Sequence, residues 1–397
     1  MGETFLVFLV ILVVFGALTR ETFIFLIIYL FAGSYLVGKW WSTRVVSAIR
    51  YRREFVRKAF PGENIPVTLE VENTSRLPAI WLRVRDYVAP EVAAPHSFQE
   101  VISLGGKQRI KMNYQLKTQK RGYYQVGPVN IASGDLLGLS EEKSGEGLRE
   151  YLTVYPKVLG LPNFHLPSRS PMGTLRYQHP IYADPSRPMG KRDYRRGDSL
   201  RQIDWKASAV TNRLQVKILE PTIALETQIF LDLCSDHYTF RTRFDATELA
   251  IVLAASICSH SNKHKQIFGM LTNGEDPLAP DLQPNAFLPK KGYSHLMRIL
   301  EVLARIRTTT ENSFPQFVSR HTRNLNWGTT LVIISGYVSV EMFQVLSTSR
   351  RMGLIPVIML CGDVPDLQEI KSHATTFQID LYHFHSEQDI RTWKLIQ

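Results

Sequence analysis

The segment 191–221 holds the densest mixture of charged and aromatic side chains in the sequence. Lys, Arg, Asp and Glu alternate in it around a single tryptophan, Trp205. It contains no His or Cys, and its carboxylates stand among cations that favour the ionised form, which makes them poor general bases. Catalysis is therefore not expected here. The candidate residues are Arg192, Tyr194, Arg195, Arg196, Gly197, Asp198, Arg201, Asp204, Trp205 and Lys206.

Two roles for this segment remain open. Paired charges around a packed tryptophan can form a structural latch between two domains. Arg, Tyr and Trp also dominate protein binding hot spots, so the same residues can form a docking surface. We expect both roles together, with Trp205 buried as the latch and its indole N–H bonded to a carbonyl. Arg195 and Arg196 are expected to point outward as the contact.

A short helix is predicted inside the segment. A Gly-Asp turn comes first, and Asp198 is expected to be the N-cap of a helix from Ser199 to Lys206. Leu200 and Ile203 share one face of that helix, which is expected to point inward. The following sequence RLQVKILEP, residues 213–221, alternates as an edge strand that enters the next domain.

From Leu225 onward, short apolar runs alternate with segments of helix length. This pattern predicts a parallel sheet covered by helices on both faces. Ligands of such sheets bind at the carboxyl ends of the strands, and the sequence DLCSD, from Asp232 to Asp236, stands at the end of the first predicted strand. The predicted strands are 227–233, 266–272, 329–335, 355–360 and 380–385, and the predicted helices are 244–262, 293–306, 314–325 and 339–353.

Residues 50–155 are predicted to form an antiparallel β-sandwich without catalytic residues. Apolar and polar side chains alternate there with a period of two, and Gly and Pro mark the turns. The proline-rich stretch 156–190 is predicted to be a connector without regular structure. Residues 191–397 then form the α/β domain, with 191–221 as its N-terminal segment. The alternating runs of the sandwich are 65–73, 80–88, 108–116 and 123–131.

Residues 1–41 are predicted to form a hairpin of two transmembrane helices. The uncharged apolar runs 4–18 and 22–38 are each slightly short of the ~20 residues that span a bilayer. Lys39, two tryptophans and several Arg follow, and basic clusters of this kind stay on the cytoplasmic side. We expect a multi-pass protein of the cell membrane with cytoplasmic soluble domains, and no cleaved signal peptide.

The net charge of +11 is unevenly distributed, and much of the excess lies near the N-terminus. Single-strand binders interleave such cations with stacking aromatics, and this pattern is absent, so no nucleic-acid partner is expected. The three cysteines stand singly in apolar runs, which argues against a disulfide framework or a zinc site. At 397 residues the chain is long enough for two soluble domains.

The sequence resembles the bacterial domain of unknown function 58 family. The resemblance rests on FPGENIPVTLEVENTSRLP (60–78), on KRGYYQVGPVNIASGDLLGL (120–139) and above all on RDYRRGDSLRQIDWKASA (192–209). It implies two membrane helices, a β domain and an α/β domain similar to von Willebrand factor type A. Val210 departs from the family pattern, which often has Arg at this position.

The resemblance also implies a place for a metal, because type A domains typically hold Mg²⁺ or Mn²⁺ with an Asp-x-Ser-x-Ser strand end and a second Asp. Here Asp232 keeps the first position, but Cys234 and Asp236 replace the two serines. Ser335-Gly336 stands where the second Asp is expected. Hard cations need several oxygens, so we expect no cofactor, with Mg²⁺ or Mn²⁺ as the alternative. The aspartates would then hold the turn after the strand.

The leading hypothesis is a membrane-anchored cytoplasmic adaptor or assembly protein, not an enzyme. The sequence contains no Gly-x-x-x-x-Gly-Lys loop, Gly-x-Ser-x-Gly elbow or His-Glu-x-x-His helix. The family resemblance implies a MoxR-type AAA+ ATPase and other membrane proteins as partners, beside the lipid bilayer. The alternative is a metal-dependent ligand-binding type A module that uses Asp232 and Asp236.

Overall fold

Two compact units are formed by the chain in the computed structural model. The N-terminal unit contains Met1–Lys157 with Leu303–Arg305, and the C-terminal unit contains Val158–Val302 with Ile306–Gln397. The candidates Arg196 and Gly197, and residues 163–182 of the predicted connector, lie outside the described residues. The structure describes residues 2–19, 22–92, 97–134, 141–143, 147, 149–162, 183–195, 198–221, 226–279, 286–310 and 313–392.

The N-terminal unit begins with two helices, α1 (Gly2–Thr19) and α2 (Thr22–Ala48). α2 is long and apolar enough to cross a membrane, as a membrane anchor or a signal sequence would be. α1 contains the shorter apolar stretch Val7–Leu18. α2 also continues past residue 41, its predicted end. Its last turns pack on the strands that follow, and the indole N–H of Trp41 donates a hydrogen bond to the carbonyl of Pro78 at 3.0 Å.

Two sheets with a shared apolar core follow α2, in agreement with the predicted sandwich. One sheet has the order β1-β3-β6, and the other has the order β2-β9-β7-β4-β5 with β8 beside β7. The pairs are antiparallel except β2 with β9. The strands are β1 (Ile49–Phe55), β2 (Lys58–Ala59), β3 (Asn64–Asn73), β4 (Ala79–Val88), β5 (Ser97–Leu104), β6 (Arg109–Lys117), β7 (Gly122–Gly134), β8 (Glu141–Lys143) and β9 (Glu150–Val154).

A buried ion pair lies inside this core. The guanidinium of Arg53 donates two hydrogen bonds to Asp86, at 2.9 and 2.6 Å, and one to Glu150 at 2.9 Å. The Tyr114 hydroxyl donates to the same Asp86 carboxylate at 2.6 Å. Burial, and secondly the charge of Asp86, raise the pKa of Tyr114 and keep its phenol protonated. These polar groups are buried because they satisfy one another.

The C-terminal unit is built on a sheet of order β14-β13-β12-β15-β16-β17, which is parallel except for β14. The predicted strands and helices after Leu225 are confirmed, with small shifts at their ends; β14, α8 and α9 were not predicted. The elements are β10 (Ala183–Asp193), α3 (Trp205–Thr211), β11 (Gln215–Pro221), β12 (Glu226–Leu231), α4 (Arg243–Lys263), β13 (Ile267–Thr272), β14 (Phe287–Lys290), α5 (Tyr293–Arg305), α6 (Phe314–Thr322), β15 (Thr330–Ser335), α7 (Val340–Arg351), β16 (Ile355–Cys361), α8 (Leu367–Phe377), β17 (Asp380–Phe384) and α9 (Glu387–Thr392).

The stretch 156–190 departs from the predicted structureless connector at both of its described ends. Leu159 is buried, and its amide donates a hydrogen bond to Ser256 Oγ of α4 at 2.9 Å. β10 begins at Ala183, and its pairing with β11 shifts register around Pro188. Proline lacks the N–H that a strand ladder uses, so it is accommodated at such irregular positions.

Candidate functional site

The candidate segment folds as a ribbon of two antiparallel strands, β10 and β11, and we use this name for the two strands with the described residues between them. α3 lies beside β11. Backbone bonds fold the connecting chain back onto β11: the amide of Tyr194 donates to the carbonyl of Leu214, and that of Asp204 donates to Gln215, both at 2.8 Å. The ribbon is not paired with either edge of the parallel sheet in the part of the chain that is described.

Asp198 closes a loop within the ribbon. Its carboxylate accepts two hydrogen bonds from the Arg192 guanidinium, at 2.7 and 2.8 Å, and one from the amide of Arg195 at 2.8 Å. The Arg192 bond, followed by the Arg195 amide, lowers the pKa of Asp198 to about 2. The predicted N-cap role of Asp198 is therefore wrong. A short 3-10 turn, Leu200–Gln202, stands where the helix was predicted to begin.

Asp204 is the residue that caps a helix. Its side chain accepts a hydrogen bond from the amide of Ala207 at 3.1 Å, and α3 begins directly after it. Lys191 of β10 forms an ion pair with the other carboxylate oxygen at 2.9 Å. The bond from Lys191, and then the Ala207 amide, lower the pKa of Asp204. An Asp before a helix-forming run is an N-cap signal that was present in the sequence.

The predicted burial of Trp205 is also wrong, because its side chain is 68% exposed. Trp205 opens α3 and points away from β11, whereas Ser208 faces inward and accepts a hydrogen bond from the amide of Gln215 at 2.9 Å. Leu200, predicted to point inward, is 66% exposed. Ile203 is buried as predicted and forms a β-bridge to Val216.

Exposed apolar side chains and unpaired cations share the ribbon surface. Three aspartates of the ribbon are engaged internally: Asp198 with Arg192, Asp204 with Lys191, and Asp193 with Gln215. Several exposed cations of the ribbon form no ion pair with any described residue. These cations are Arg195, Arg201, Lys206 and Arg213. The exposed large apolar residues are Leu200, Trp205, Val210, Leu214 and Ile218.

The second candidate, Asp232, lies at the point where the strand order reverses. From β12 the chain moves to β13 on one side and later to β15 on the other, and Asp232 follows β12 directly. Asp232 is fully buried, and its amide donates to the carbonyl of Ile334 in β15 at 2.8 Å. In open α/β sheets, ligands bind in the crevice at this switch point.

The carboxylate of Asp232 already accepts hydrogen bonds on both oxygens. Oδ1 accepts from the amide of Cys234 at 2.9 Å and from Nδ2 of Asn273 at 2.8 Å. Oδ2 accepts from Oγ of Ser335 at 2.7 Å and from Nδ1 of His237 at 2.5 Å. The sequence did not identify Asn273 or His237 as neighbours of Asp232. Asn273 is brought there by the pairing of β12 with β13, and His237 by the 3-10 turn Ser235–His237 that follows β12.

Asp236 does not join Asp232 at this site. Its side chain is 64% exposed and lies 4.0 Å from the Arg243 guanidinium. Cys234 is buried between the two aspartates, and burial raises the pKa of its thiol, so the soft thiolate that binds metals is disfavoured. Among the described residues, no group of three or more His, Cys, Asp or Glu side chains is arranged to hold a metal ion.

Comparison with known sequences identifies a family for part of the chain. Residues 190–359 match the family described as "Protein of unknown function DUF58". The "Uncharacterized protein YeaD" of Bacillus subtilis (strain 168) is 23% identical over 248 residues, which cover 61% of this chain. The alignment spans 58% of that relative's length. The matched segment begins in β10 and ends in β16, so it includes the ribbon and the switch point.

Solved structures offer only distant likenesses. The CARDB domain of the PF1109 protein from Pyrococcus furiosus is 13% identical, with 27% of this chain and 91% of that chain covered, at a TM-score of 0.21. A β-glucosidase from Listeria innocua in complex with glucose is 14% identical, with 28% and 16% covered, at a TM-score of 0.20. At these scores neither likeness bears on the function of this chain.

Proposed function

The chain belongs to the DUF58 family over residues 190–359, as its motifs predict, and from this premise we propose that it is a membrane-anchored adaptor or assembly protein that docks a protein partner on the ribbon. The observation that supports this function most is the set of exposed apolar residues between Leu200 and Ile218. Five exposed large apolar side chains within 19 residues of sequence support an interaction surface here, since extended exposed apolar areas mark such sites.

The construction of the ribbon supports the same role. A two-stranded ribbon is at best marginally stable by itself, so it gains stability from whatever packs against it. Trp205 and the surrounding Arg side chains are the residue types that dominate binding hot spots. Three of the ribbon aspartates are engaged internally, whereas several of its exposed cations form no ion pair with any described residue, so the ribbon presents cationic charge. A complementary partner therefore presents an apolar pocket for Trp205 within an acidic rim.

The partner class comes from the family resemblance, which implies a MoxR-type AAA+ ATPase and other membrane proteins. The proposal treats the chain as a non-enzyme whose C-terminal unit is similar to von Willebrand factor type A. The parallel sheet, with helices between its strands, supports that similarity. The same proposal places both α1 and α2 in the membrane and the soluble units in the cytoplasm. The length of α2 and the cations that follow Gly38 support this topology.

The proposal is tested by capture with the full-length protein in detergent, followed by mass spectrometry. We expect the wild-type chain to enrich a MoxR-type ATPase and the double variant Trp205→Ala, Arg201→Glu to lose it. Both side chains are exposed, so the fold should change in stability by no more than about 0.5 kcal/mol.

The matched control is Phe240→Ala, which removes an aromatic ring of the same unit that is 83% exposed and lies outside the ribbon. This variant should recover the ATPase as well as the wild type does. Equal recovery by the ribbon variant and the control would refute the docking role of the ribbon. Direct binding of the purified ATPase to wild-type and variant chains then gives the fold-change in affinity.

A further inference from the structure

The crevice at the switch point is where a ligand or metal would be sought in this fold, and the chain itself fills it. We infer that Asp232 is a structural hub whose cation position is taken by the imidazole of His237, so that this crevice binds neither Mg²⁺ nor Mn²⁺. The inference concerns a different site from the ribbon and does not depend on the docking role.

The Asp232 carboxylate is already surrounded by hydrogen-bond donors. A carboxylate offers about four lone-pair directions, and here four groups lie within hydrogen-bond distance of them: the Cys234 amide, Asn273, Ser335 and His237. The single proton of Ser335 Oγ is shared between Asp232 and the carbonyl of Tyr337, which is also 2.7 Å away. A carboxylate oxygen only accepts, so Nδ1 of His237 is the donor in the 2.5 Å contact. A divalent cation at either oxygen would have to displace at least one of these bonds.

The crevice also lacks space for a second acidic ligand. The turn after β12 lies directly against the end of β15, and the Tyr238 hydroxyl donates to the backbone carbonyl of Asp232 at 2.6 Å. A Cβ added at Gly336 would lie 2.4 Å from the carbonyl oxygen of His237 and 2.5 Å from the ring of Tyr238. A carboxylate at position 336 is therefore incompatible with this turn, which has closed over the place where a second acidic ligand would project.

The crevice also offers too few hard oxygen ligands for a divalent cation. Mg²⁺ and Mn²⁺ need several oxygens in a near-octahedral arrangement. Cys234 offers a buried thiol, and the Asp236 carboxylate lies out in solvent near Arg243. The residues present at this crevice do not fit the metal that the type A resemblance implies.

A hub of this kind has a mechanical consequence. The four donors come from the turn after β12, the end of β13 and the end of β15, so one buried carboxylate fixes three segments that are distant in sequence. Removal of one donor leaves a buried charge incompletely satisfied, which is costly in an apolar surrounding. His237 therefore contributes to the stability of the C-terminal unit.

The experiment uses the full-length protein in detergent, with Mn²⁺ as the probe. Free Mn²⁺ is followed by electron paramagnetic resonance, and the melting midpoint of the C-terminal unit is followed by calorimetry. We expect the wild type to show no saturable Mn²⁺ binding that depends on Asp232. Asp232→Asn should therefore give the same Mn²⁺ titration as the wild type. We expect His237→Ala to lower the midpoint by about 3–12 °C, as the loss of a hydrogen bond to a charged group predicts.

Two further variants distinguish the loss of the His237 hydrogen bond from the effect of removing any histidine of this unit. His237→Asn keeps an N–H donor close to the position of Nδ1 and should restore most of the midpoint. His385→Ala removes a histidine that is exposed at the end of another strand and paired with Asp363 at 3.3 Å. This control should shift the midpoint by less than about 2 °C, since exposed ion pairs contribute little.

Two results would overturn the inference: Mn²⁺ binding by the wild type that Asp232→Asn abolishes, or a midpoint for His237→Ala no lower than that of His385→Ala. If His237→Ala does not accumulate as a folded protein, His237→Asn and the Mn²⁺ titration of the wild type decide the question. None of these variants alters the ribbon. A failure here therefore leaves the docking proposal to its own test.

Discussion

Arg53 is predicted to be the most sensitive polar position of the N-terminal unit. Its side chain is only 1% exposed, and it makes three hydrogen bonds to the carboxylates of Asp86 and Glu150. Arg53→Met keeps an apolar stem of similar reach but leaves Asp86 fully buried, with Tyr114 as its remaining side-chain donor. Removal of one member of a buried ion pair costs about 3–5 kcal/mol, because the other charge stays buried without compensation.

Hydrogen exchange of the β4 and β7 amides in the full-length protein measures this loss locally. A change of about 3–5 kcal/mol lowers protection by roughly two to three and a half decades, at about 1.4 kcal/mol per decade. Arg57→Met is the matched control, because its guanidinium also bonds Glu150 at 3.0 Å but is 72% exposed. The control should lose less than about 1 kcal/mol.

A triple variant tests the cause of the loss. Arg53→Met with Asp86→Leu and Tyr114→Phe removes the buried ion pair and its tyrosine donor, and leaves the partly exposed Glu150 bonded to Arg57. This variant should recover much of the protection, since apolar replacements of buried ion pairs are often close to neutral. The reasoning is refuted if Arg53→Met costs no more than Arg57→Met. It is also refuted if the triple variant is less protected than the single one, because the buried charge would then not be the origin of the cost.

Three further predictions concern the C-terminal unit. Because hydrogen bonds depress the folded-state pKa of Asp198, its contribution to stability is complete above the unfolded value near 3.8 and is lost as the pH falls through about 2. Protection of the Arg195 amide, corrected for intrinsic exchange, should fall over that range and be low at all pH values in Asp198→Ala, which lacks the acceptor oxygen. Ile203→Ala should lower local stability by about 2–5 kcal/mol because Ile203 is buried, whereas Trp205→Ala should lower it by about 0.5 kcal/mol or less because Trp205 is exposed. A large loss of stability for Trp205→Ala would show instead that its ring is packed. Gly336→Ala should lower the free energy of unfolding of the C-terminal unit by about 1–3 kcal/mol, because the added Cβ meets the His237 carbonyl. An unchanged midpoint of thermal unfolding would show that the turn can move aside at no cost.

The periodicity of apolar residues was sufficient to predict a helix or strand where that element buries its own apolar residues. β12, β13, β15 and β16 are almost wholly buried, and their short apolar runs are separated by helices with apolar faces. α8 was missed because it buries only Ile370 and Ala374, which is too weak an apolar pattern to predict a helix. β10 was missed because its prolines argue against a strand, and its partner β11 lies beyond the whole intervening loop.

The burial of Trp205 was predicted wrongly for a different reason. Two aspartates could each be the N-cap of the helix. Both Asp198 and Asp204 precede runs that can form a helix, and the sequence does not show which one caps. The Arg192 guanidinium and the Arg195 amide occupy the carboxylate of Asp198, so Asp204 becomes the N-cap and the helix begins six residues later than predicted. The later start changes which side chains face β11. Ser208 turns inward and Trp205 turns outward.

The two candidate sites therefore differ in the interactions that their side chains still offer to a ligand or partner. At the switch point, the hydrogen bonds of Asp232 are saturated, so a ligand gains no new partner there. On the ribbon, apolar area and cationic charge remain exposed, and a complementary surface gains from burying them. Substitutions at the two sites should therefore have different effects on partner recovery. Asp232→Asn should reduce partner recovery only in proportion to the fraction of chains that unfold, whereas Trp205→Ala should reduce recovery by chains that are fully folded.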